Sequence, residues 1–134
     1  MVLKEGDTYE HNVSFKQNDV DTFAKITEDN NPIHIDKEYA SRTIFGQPIV
    51  HGFLAGSVFS KVFGTLWPGE GTIYLYQEMI FLAPVFVDRN YIANFIVIEI
   101  NAVKHKGVIK CILEDSDGKQ VITGIAKLMH REKF

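Results

Sequence analysis

Residues 28–34 hold a carboxylate and an imidazole, two groups whose chemistry suits proton transfer. Asp29 and His34 stand five positions apart, and the residues between them are Asn30, Asn31, Pro32 and Ile33. A fully extended chain would separate the two side chains by roughly 16 Å, so they can share one water molecule only if the chain bends. Asparagine and proline favour such a bend. The pair therefore predicts general acid–base chemistry on water.

A structural interpretation of the same residues stays open. In that interpretation Asp29 only ends a helix, the two asparagines only turn the chain, and His34 lies at the surface. Spacing alone does not decide between this view and the chemical one.

A second candidate segment, residues 47–52, precedes a long apolar stretch that we expect to be a helix. The first turn of a helix leaves main-chain N–H groups unpaired and carries partial positive charge, so it suits an oxygen that gains negative charge. Gly52 permits close approach at this point. Alternatively, Gly52 only lets the helix pack tightly on a sheet, and His51 is a capping or core histidine.

Ser57 and Ser60 are the two serines of this helix. Ser60 follows Gly52 by eight residues, so we expect it near the same face, where it could contact a substrate. Such a serine more often bonds to a carbonyl one turn earlier. Because no Asp or Glu lies between His51 and Leu66, a carboxylate base must come from elsewhere, which favours Asp29.

We expect no metal and no cofactor. His34 and Asp36 alternate as two ligands in a strand would, but no third ligand stands nearby, and a helix-capping role explains Asp36. Cys111 is the only cysteine, which excludes an intrachain disulfide and favours a reducing, cytoplasmic location. It falls within a predicted strand, where we expect an inert core residue.

Helices come first and strands follow. The pattern predicts a strand over residues 9–15, a helix capped by Asn18 or Asp19 that ends near Glu28, a short helix capped by Asp36, and a long helix from residue 49 or 51 to about 66. Strands are predicted over residues 73–82, 91–102, 108–114 and 120–129, with a hairpin turn at Asp117 and Gly118.

This order indicates an α+β fold in which an antiparallel sheet wraps one central helix, as a single domain over residues 1–134. The helix is apolar nearly all round, so we expect it to be buried on most sides, in part through pairing of two subunits. The net charge of −3 argues against nucleic acid as a partner, and the first residues lack a secretion signal. The most apolar stretch is too interrupted by polar residues and glycines to span a membrane.

The two candidate segments together resemble the MaoC-like branch of the hot-dog proteins, and within it the short (R)-specific enoyl-CoA hydratases. The likeness extends through residues 59–60, 71–77 and 81–85, and covers most of the chain. Many relatives carry a glycine just before the aspartate, where this chain has Glu28.

The resemblance implies a homodimer with a tunnel for a pantetheine-linked acyl chain near the subunit boundary. It implies that Asp29 and His34 hold and activate a water, that the N–H of Gly52 binds the thioester oxygen, and that Ser60 lies close to the site. We also expect Asn31 and His51 to contact the substrate.

The hypothesis is reversible hydration of a trans-2-enoyl-CoA to the (R)-3-hydroxyacyl-CoA, in which Asp29 takes a proton from water and His34 delivers a proton to C2. One alternative is a 3-hydroxyacyl-[acyl carrier protein] dehydratase. Another is a non-catalytic acyl-CoA-binding module, which would not need the Asp29 and His34 pair. A thioesterase is disfavoured because the central helix carries no carboxylate.

Overall fold

The computed structural model describes every residue from Met1 to Phe134. The helices are α1 (Gln17–Thr27), α2 (Pro32–Ile35), α3 (Lys37–Ser41) and α4 (Gly52–Lys61), and α4 continues into a π-helical turn over Val62–Leu66. The strands are β1 (Thr8–Val13), β2 (Ile73–Phe81), β3 (Tyr91–Asn101), β4 (Lys106–Asp115) and β5 (Gln120–Met129). They form one antiparallel sheet in the order β1-β3-β4-β5-β2.

Helix α4 packs on this sheet through one apolar face. Phe59 and Phe63 are fully buried, and their rings meet the ring of Phe95 on β3 edge to face, with centroids 5.7 and 5.2 Å apart. The predicted sheet around a central helix is therefore confirmed. Its hydrophobic contacts supply the main stabilisation of the fold.

In a single chain the central helix is covered on one side only, and its burial on the other sides through pairing of two subunits stays a prediction. Phe53, Ser57, Ser60 and Gly64 recur at three- and four-residue spacing and form an exposed stripe along α4 and its π-helical turn. Phe53 is 72% exposed. One sheet can cover only one side of a helix, so the opposite side stays open.

Strand β2 is the other uncovered apolar element. It lies at the edge of the sheet and pairs only with β5. Its exposed large side chains are Ile73, Tyr74, Leu75, Tyr76, Ile80 and Phe81. An open edge of this composition is a template for pairing with another strand.

Two helix starts differ from the predictions. Lys16, and not Asn18 or Asp19, is the N-cap of α1, because the Asp19 carboxylate reaches back one turn and accepts the Lys16 N–H at 2.9 Å. Residues 32–35, predicted as a loop, form the single helical turn α2. Its N-cap is Asn31, whose side chain accepts the Ile33 N–H at 3.3 Å, and Pro32 fills the first helical position.

The remaining predictions hold with small shifts. Asp36 caps α3 through the Tyr39 N–H, and Asp117 and Gly118 lie in the turn between β4 and β5. The bounds of β5 are as predicted, and those of the other strands move by one or two residues.

Cys111 is buried in β4, where burial raises its pKa to about 12, so its thiol stays protonated and unreactive. No helix combines the length and the apolar composition needed to cross a membrane.

Candidate active site

The segment between α1 and α2 folds back and brings Asp29 next to His34. Glu28 ends α1 with a φ of 61°, a left-handed conformation that turns the chain sharply. Asp29 is then held at both ends, since its N–H donates to the Thr27 hydroxyl at 3.2 Å and its carboxylate accepts the Asn31 N–H at 3.3 Å. The predicted bend is confirmed, and it depends on Glu28 as well as on the asparagines and proline.

The His34 ring is oriented by a main-chain carbonyl. Its Nδ1 lies 2.7 Å from the Ile49 oxygen. Because a carbonyl only accepts hydrogen bonds, Nδ1 carries the hydrogen, and Nε2 of the neutral ring offers a lone pair. The hydrogen bond therefore fixes the tautomer as well as the orientation of the ring.

Burial keeps His34 neutral. It lowers the pKa of His34 below the ordinary 6.5, the Ile49 carbonyl opposes that effect, and neighbouring His51 lowers the pKa further while Asp29 raises it. The net change is downward, so the ring is uncharged at pH 7. A neutral ring can accept a proton from water at Nε2.

His51 lies behind His34 and is only 2% exposed. It is the N-cap residue of α4, but its side chain makes no capping hydrogen bond. Its Nε2 instead lies 3.1 Å from the main-chain oxygen of Asp29, and its ring stacks on that of His34 with centroids 3.9 Å apart. Nδ1 of His51 is buried and has no partner.

Asp29, His34 and His51 each place a donor atom within 4.8 Å of the others. Two imidazoles that share one zinc ion at about 2.0–2.1 Å hold their ring centres roughly 5 Å apart, because the rings diverge from the metal. The two rings here are stacked at 3.9 Å and an interplanar angle of 27°. The stacked rings thus differ from the diverging rings that a shared zinc ion requires. The absence of a metal stays a prediction.

The three residues and Gly52 line one cavity of about 720 Å³. Its wall is mostly apolar and includes Phe23, Phe45, Phe53, Phe81, Leu82 and Val85. An apolar pocket with a few convergent polar groups is the usual form of a small-molecule site. The acid–base pair and the opening turn of the central helix, two features predicted separately, therefore face the same space.

Gly52 is the first residue of α4, and its lack of a side chain leaves room for an aromatic neighbour. A Cβ atom at this position would lie 2.8 Å from Cε1 of Phe81, so the ring of Phe81 occupies the space that a side chain would fill. Close packing against the sheet and exposure to the cavity are thus both properties of this glycine. The two interpretations of Gly52 do not compete.

Asn31 and Ser60 lie outside the cavity lining. The Asn31 side chain caps α2, and the main-chain N–H of Asn31 donates to the Asp29 carboxylate. Asn31 therefore helps to orient Asp29 from outside the cavity. Ser60 is exposed. Eight residues at 3.6 per turn place it about 80° around the helix from Gly52, which is why the two do not share a face.

Two features of the site were not predicted from the sequence. The Ile49 carbonyl that orients His34 is a main-chain group, which no residue type reveals. Phe23 packs on the His51 ring with centroids 4.9 Å apart, and only its apolar position on α1 signalled that it faces inward. Phe81 of β2 is a wall of the cavity.

A five-stranded antiparallel sheet packed on a central helix defines this chain as a hot-dog protein. The family model described as MaoC like domain matches residues 3–115, and the chain belongs to this family.

Among curated proteins, the chain is similar to the (R)-specific enoyl-CoA hydratase of Aeromonas caviae, at 38% identity over 81% of each chain. It is also similar to a mitochondrial 3-hydroxyacyl-[acyl-carrier-protein] dehydratase of Solanum lycopersicum, at 33% identity over 96% of this chain and 78% of that protein. Among solved structures, an (R)-hydratase from A. caviae superposes with a TM-score of 0.92 at 34% identity, covering 96% of this chain and 97% of that one.

Proposed function

We propose that this chain is an (R)-specific enoyl-CoA hydratase, a hydro-lyase that adds water reversibly to a trans-2-enoyl-CoA and forms the (R)-3-hydroxyacyl-CoA. The observation that carries the proposal is the shared cavity, in which Asp29 and His34 face the start of α4 at Gly52. The similarity to (R)-specific hydratases over most of both chains supports the same activity.

The Asp29–His34 pair works as one unit in this mechanism. Nε2 of resting His34 carries no proton, because Nδ1 donates to Ile49 and the ring is neutral. The proton that His34 delivers to C2 must therefore come from the attacking water. Asp29 takes one proton from the water as the water oxygen bonds to C3, Nε2 of His34 receives that proton from Asp29 and delivers it to C2, so both groups end in their starting state. General acid–base groups of this kind contribute about 10² to 10⁴ in rate.

Attack at C3 moves negative charge onto the thioester oxygen. The proposal assigns this charge to the N–H of Gly52 in the opening turn of α4, where the positive end of the helix dipole adds to the effect. One preorganised donor of this type contributes about 3 to 4 kcal/mol to transition-state stabilisation. Gly52 lines the cavity beside the ring of Phe81, so the proposal places the thioester oxygen at this point of the cavity wall.

The same chemistry in the dehydration direction on an acyl carrier protein is the second candidate function. The tomato relative, a 3-hydroxyacyl-[acyl-carrier-protein] dehydratase, favours it. Both reactions need the same acid–base pair and the same oxyanion donor, so the thioester carrier is what separates them. A non-catalytic acyl-CoA-binding module would need neither the fixed His34 tautomer nor the held Asp29.

The assembly that we propose is a homodimer joined through β2. The open apolar edge of β2 and the exposed stripe of α4 would be covered together by a second copy. Ser60 belongs to that stripe, so its predicted contact with the substrate would form near the subunit boundary. We also infer a cytoplasmic location, which the single, unpaired cysteine supports.

The test is turnover of purified protein with crotonyl-CoA, with a longer trans-2-enoyl-CoA, and with the same acyl groups on an acyl carrier protein. Chiral chromatography of the product gives its handedness. The proposal expects loss of the enoyl chromophore with CoA substrates and an (R)-3-hydroxy product. Binding without turnover would favour the non-catalytic module, and turnover of the carrier-protein thioester alone would favour the dehydratase.

A further inference from the structure

We propose that His51 is a positioning residue, whose ring holds the main chain of Asp29 and the ring of His34 against the first turn of α4. The inference rests on the proposed function and goes beyond it, because it gives His51 a role other than contact with the substrate. His51 precedes Gly52 directly, so it stands where the acid–base loop meets the proposed oxyanion donor.

The hydrogen bond of His51 joins two segments that are far apart in sequence. Its Nε2 donates to the main-chain oxygen of Asp29 at 3.1 Å, across 22 positions of the chain. A bond to the main chain, and not to the carboxylate, fixes where Asp29 stands and leaves its side chain free to act on water. The position of Asp29 relative to Gly52 is thereby tied to a single side chain.

The stacked ring fixes His34 from one side. The His34 and His51 rings lie 3.9 Å apart at 27°, while the Ile49 carbonyl holds the His34 ring at Nδ1. Phe23 of α1 packs on the His51 ring at 4.9 Å and limits its movement. With one ring in van der Waals contact and one hydrogen bond, His34 has few ways to turn away from the water site.

The unpaired nitrogen of His51 is best explained by this role. Donation from Nε2 requires the tautomer in which Nδ1 is an acceptor, and Nδ1 is buried without a donor. A buried polar atom left unpaired is uncommon and is a recognised feature of functional sites. A purely structural position could be filled by an apolar ring that leaves nothing unpaired.

The same arrangement affects the charge state of His34. Each of the two histidine rings faces the other ring and Asp29, which are the titratable groups at this point. Helix α1 contributes only uncharged contacts: Phe23 packs on the His51 ring, and the Gln17 side chain donates to the main-chain oxygen of His34. His51 lowers the pKa of His34, because a proton on one stacked ring disfavours a proton on the other. Stacking therefore helps to keep Nε2 of His34 ready to accept a proton.

The first test compares His51→Phe, which keeps a stacked ring but has no donor, with His51→Gln, whose Nε2 can reach the same carbonyl. We expect His51→Phe to lower kcat about a hundredfold with KM changed by less than about threefold, since a misplaced catalytic group costs rate more than binding. His51→Gln should recover at least about tenfold of that loss. Equal kcat for wild type and His51→Phe, or no recovery in His51→Gln, would overturn the proposal.

The second test does not depend on turnover. NMR titration of the His34 ring should give a higher pKa in both His51 variants than in wild type, whereas His130→Gln, a change at another buried histidine outside the cavity, should leave the His34 titration unchanged. An unmoved His34 titration in both His51 variants would contradict the proposal. A wild-type protein inactive on every enoyl thioester would instead remove the proposed function, and the titration would still test His51.

Discussion

Asp29 and His34 are each held by hydrogen bonds to groups near them in space. Asp29 is fixed by the Thr27 hydroxyl and the Asn31 N–H, and His34 by the Ile49 carbonyl. Neither side chain depends on a salt bridge, so salt should affect the geometry little. Short hydrogen-bonded turns therefore position the side chains of Asp29 and His34, and their reactive atoms remain free to contact water.

At Gly52 the account predicts sensitivity to a single methyl group. The methyl group of Gly52→Ala would lie 2.8 Å from Cε1 of Phe81 and would push that ring, which borders the cavity, out of its place. We expect kcat/KM for crotonyl-CoA to fall about tenfold or more, because the proposed oxyanion donor and the bound thioester no longer align.

Two further variants control this experiment. Asp117→Ala, an exposed change in the turn between β4 and β5 and outside the cavity, should leave kcat/KM unchanged. Adding Phe81→Leu to Gly52→Ala should restore part of the activity by making room for the methyl group. Full activity of Gly52→Ala alone would mean that this N–H lies outside the reaction.

The lowered pKa of His34 predicts the response to acid. Below about pH 6.5 the unfolded chain binds a proton at His34 that the folded chain still excludes, because the pKa of His34 is lower in the folded chain. The contribution of His34 to the free energy of unfolding is therefore complete above about pH 6.5, and it is lost as the pH falls towards the folded pKa. Activity should show an acid limb below about pH 6.5, when Nε2 becomes protonated. The pH profile of kcat/KM measures this limb, and a limb well above pH 6.5 would contradict a buried, neutral His34.

At the scale of elements, the sequence indicated the order of helices and strands and the bend between Asp29 and His34. Hydrophobic periodicity is strong in β5 and in α4, and their predicted positions agree with the structure. The short turn α2 was missed although Asn31 and Pro32 form a recognisable helix start, because four residues are too few to show periodicity. The cap of α1 was misplaced because Asp19 acts from the third helical position.

Tertiary contacts set the limit of the site prediction. Asp29, His34 and Gly52 were predicted to face one another, and the cavity brings them together. Neither the stacking of His51 on His34 nor the carbonyl of Ile49 has a signal in residue type, since both arise from segments that meet only in the fold. Ser60 was placed near Gly52 by counting turns, and the 3.6-residue repeat rotates it away.

The exposed apolar edge of β2 predicts that two copies of the chain associate through this strand. Leu75 lies at the bulge where β2 shifts register against β5, and it is exposed. Leu75→Asp should weaken the proposed dimer, since the charge would be buried against the partner at a two-fold interface. Val103→Asp changes an even more exposed apolar residue in the turn between β3 and β4 and should leave the dimer intact. Analytical ultracentrifugation separates these outcomes, and a monomeric wild type would refute the proposed assembly.

The whole molecule combines a rigid sheet with a helix whose first turn opens onto a cavity. The sheet and the buried face of α4 hold that first turn in place, while α1 and α2 hold the acid–base loop opposite it. Catalysis in this account depends on the distance between two separately anchored parts. The fold supplies that distance, and the apolar cavity wall strengthens the electrostatic interactions within it.

The most direct test of this account is the rate of crotonyl-CoA hydration by Asp29→Ala and His34→Ala, measured beside Asp21→Ala and His11→Ala as matched changes outside the cavity. The account predicts that each of the first two lowers kcat at least about a hundredfold while the protein stays folded, and that the double variant loses little more, because the pair acts as one unit. The two matched changes should leave kcat within about threefold of wild type. Retention of near wild-type kcat in either Asp29→Ala or His34→Ala would contradict the central claim.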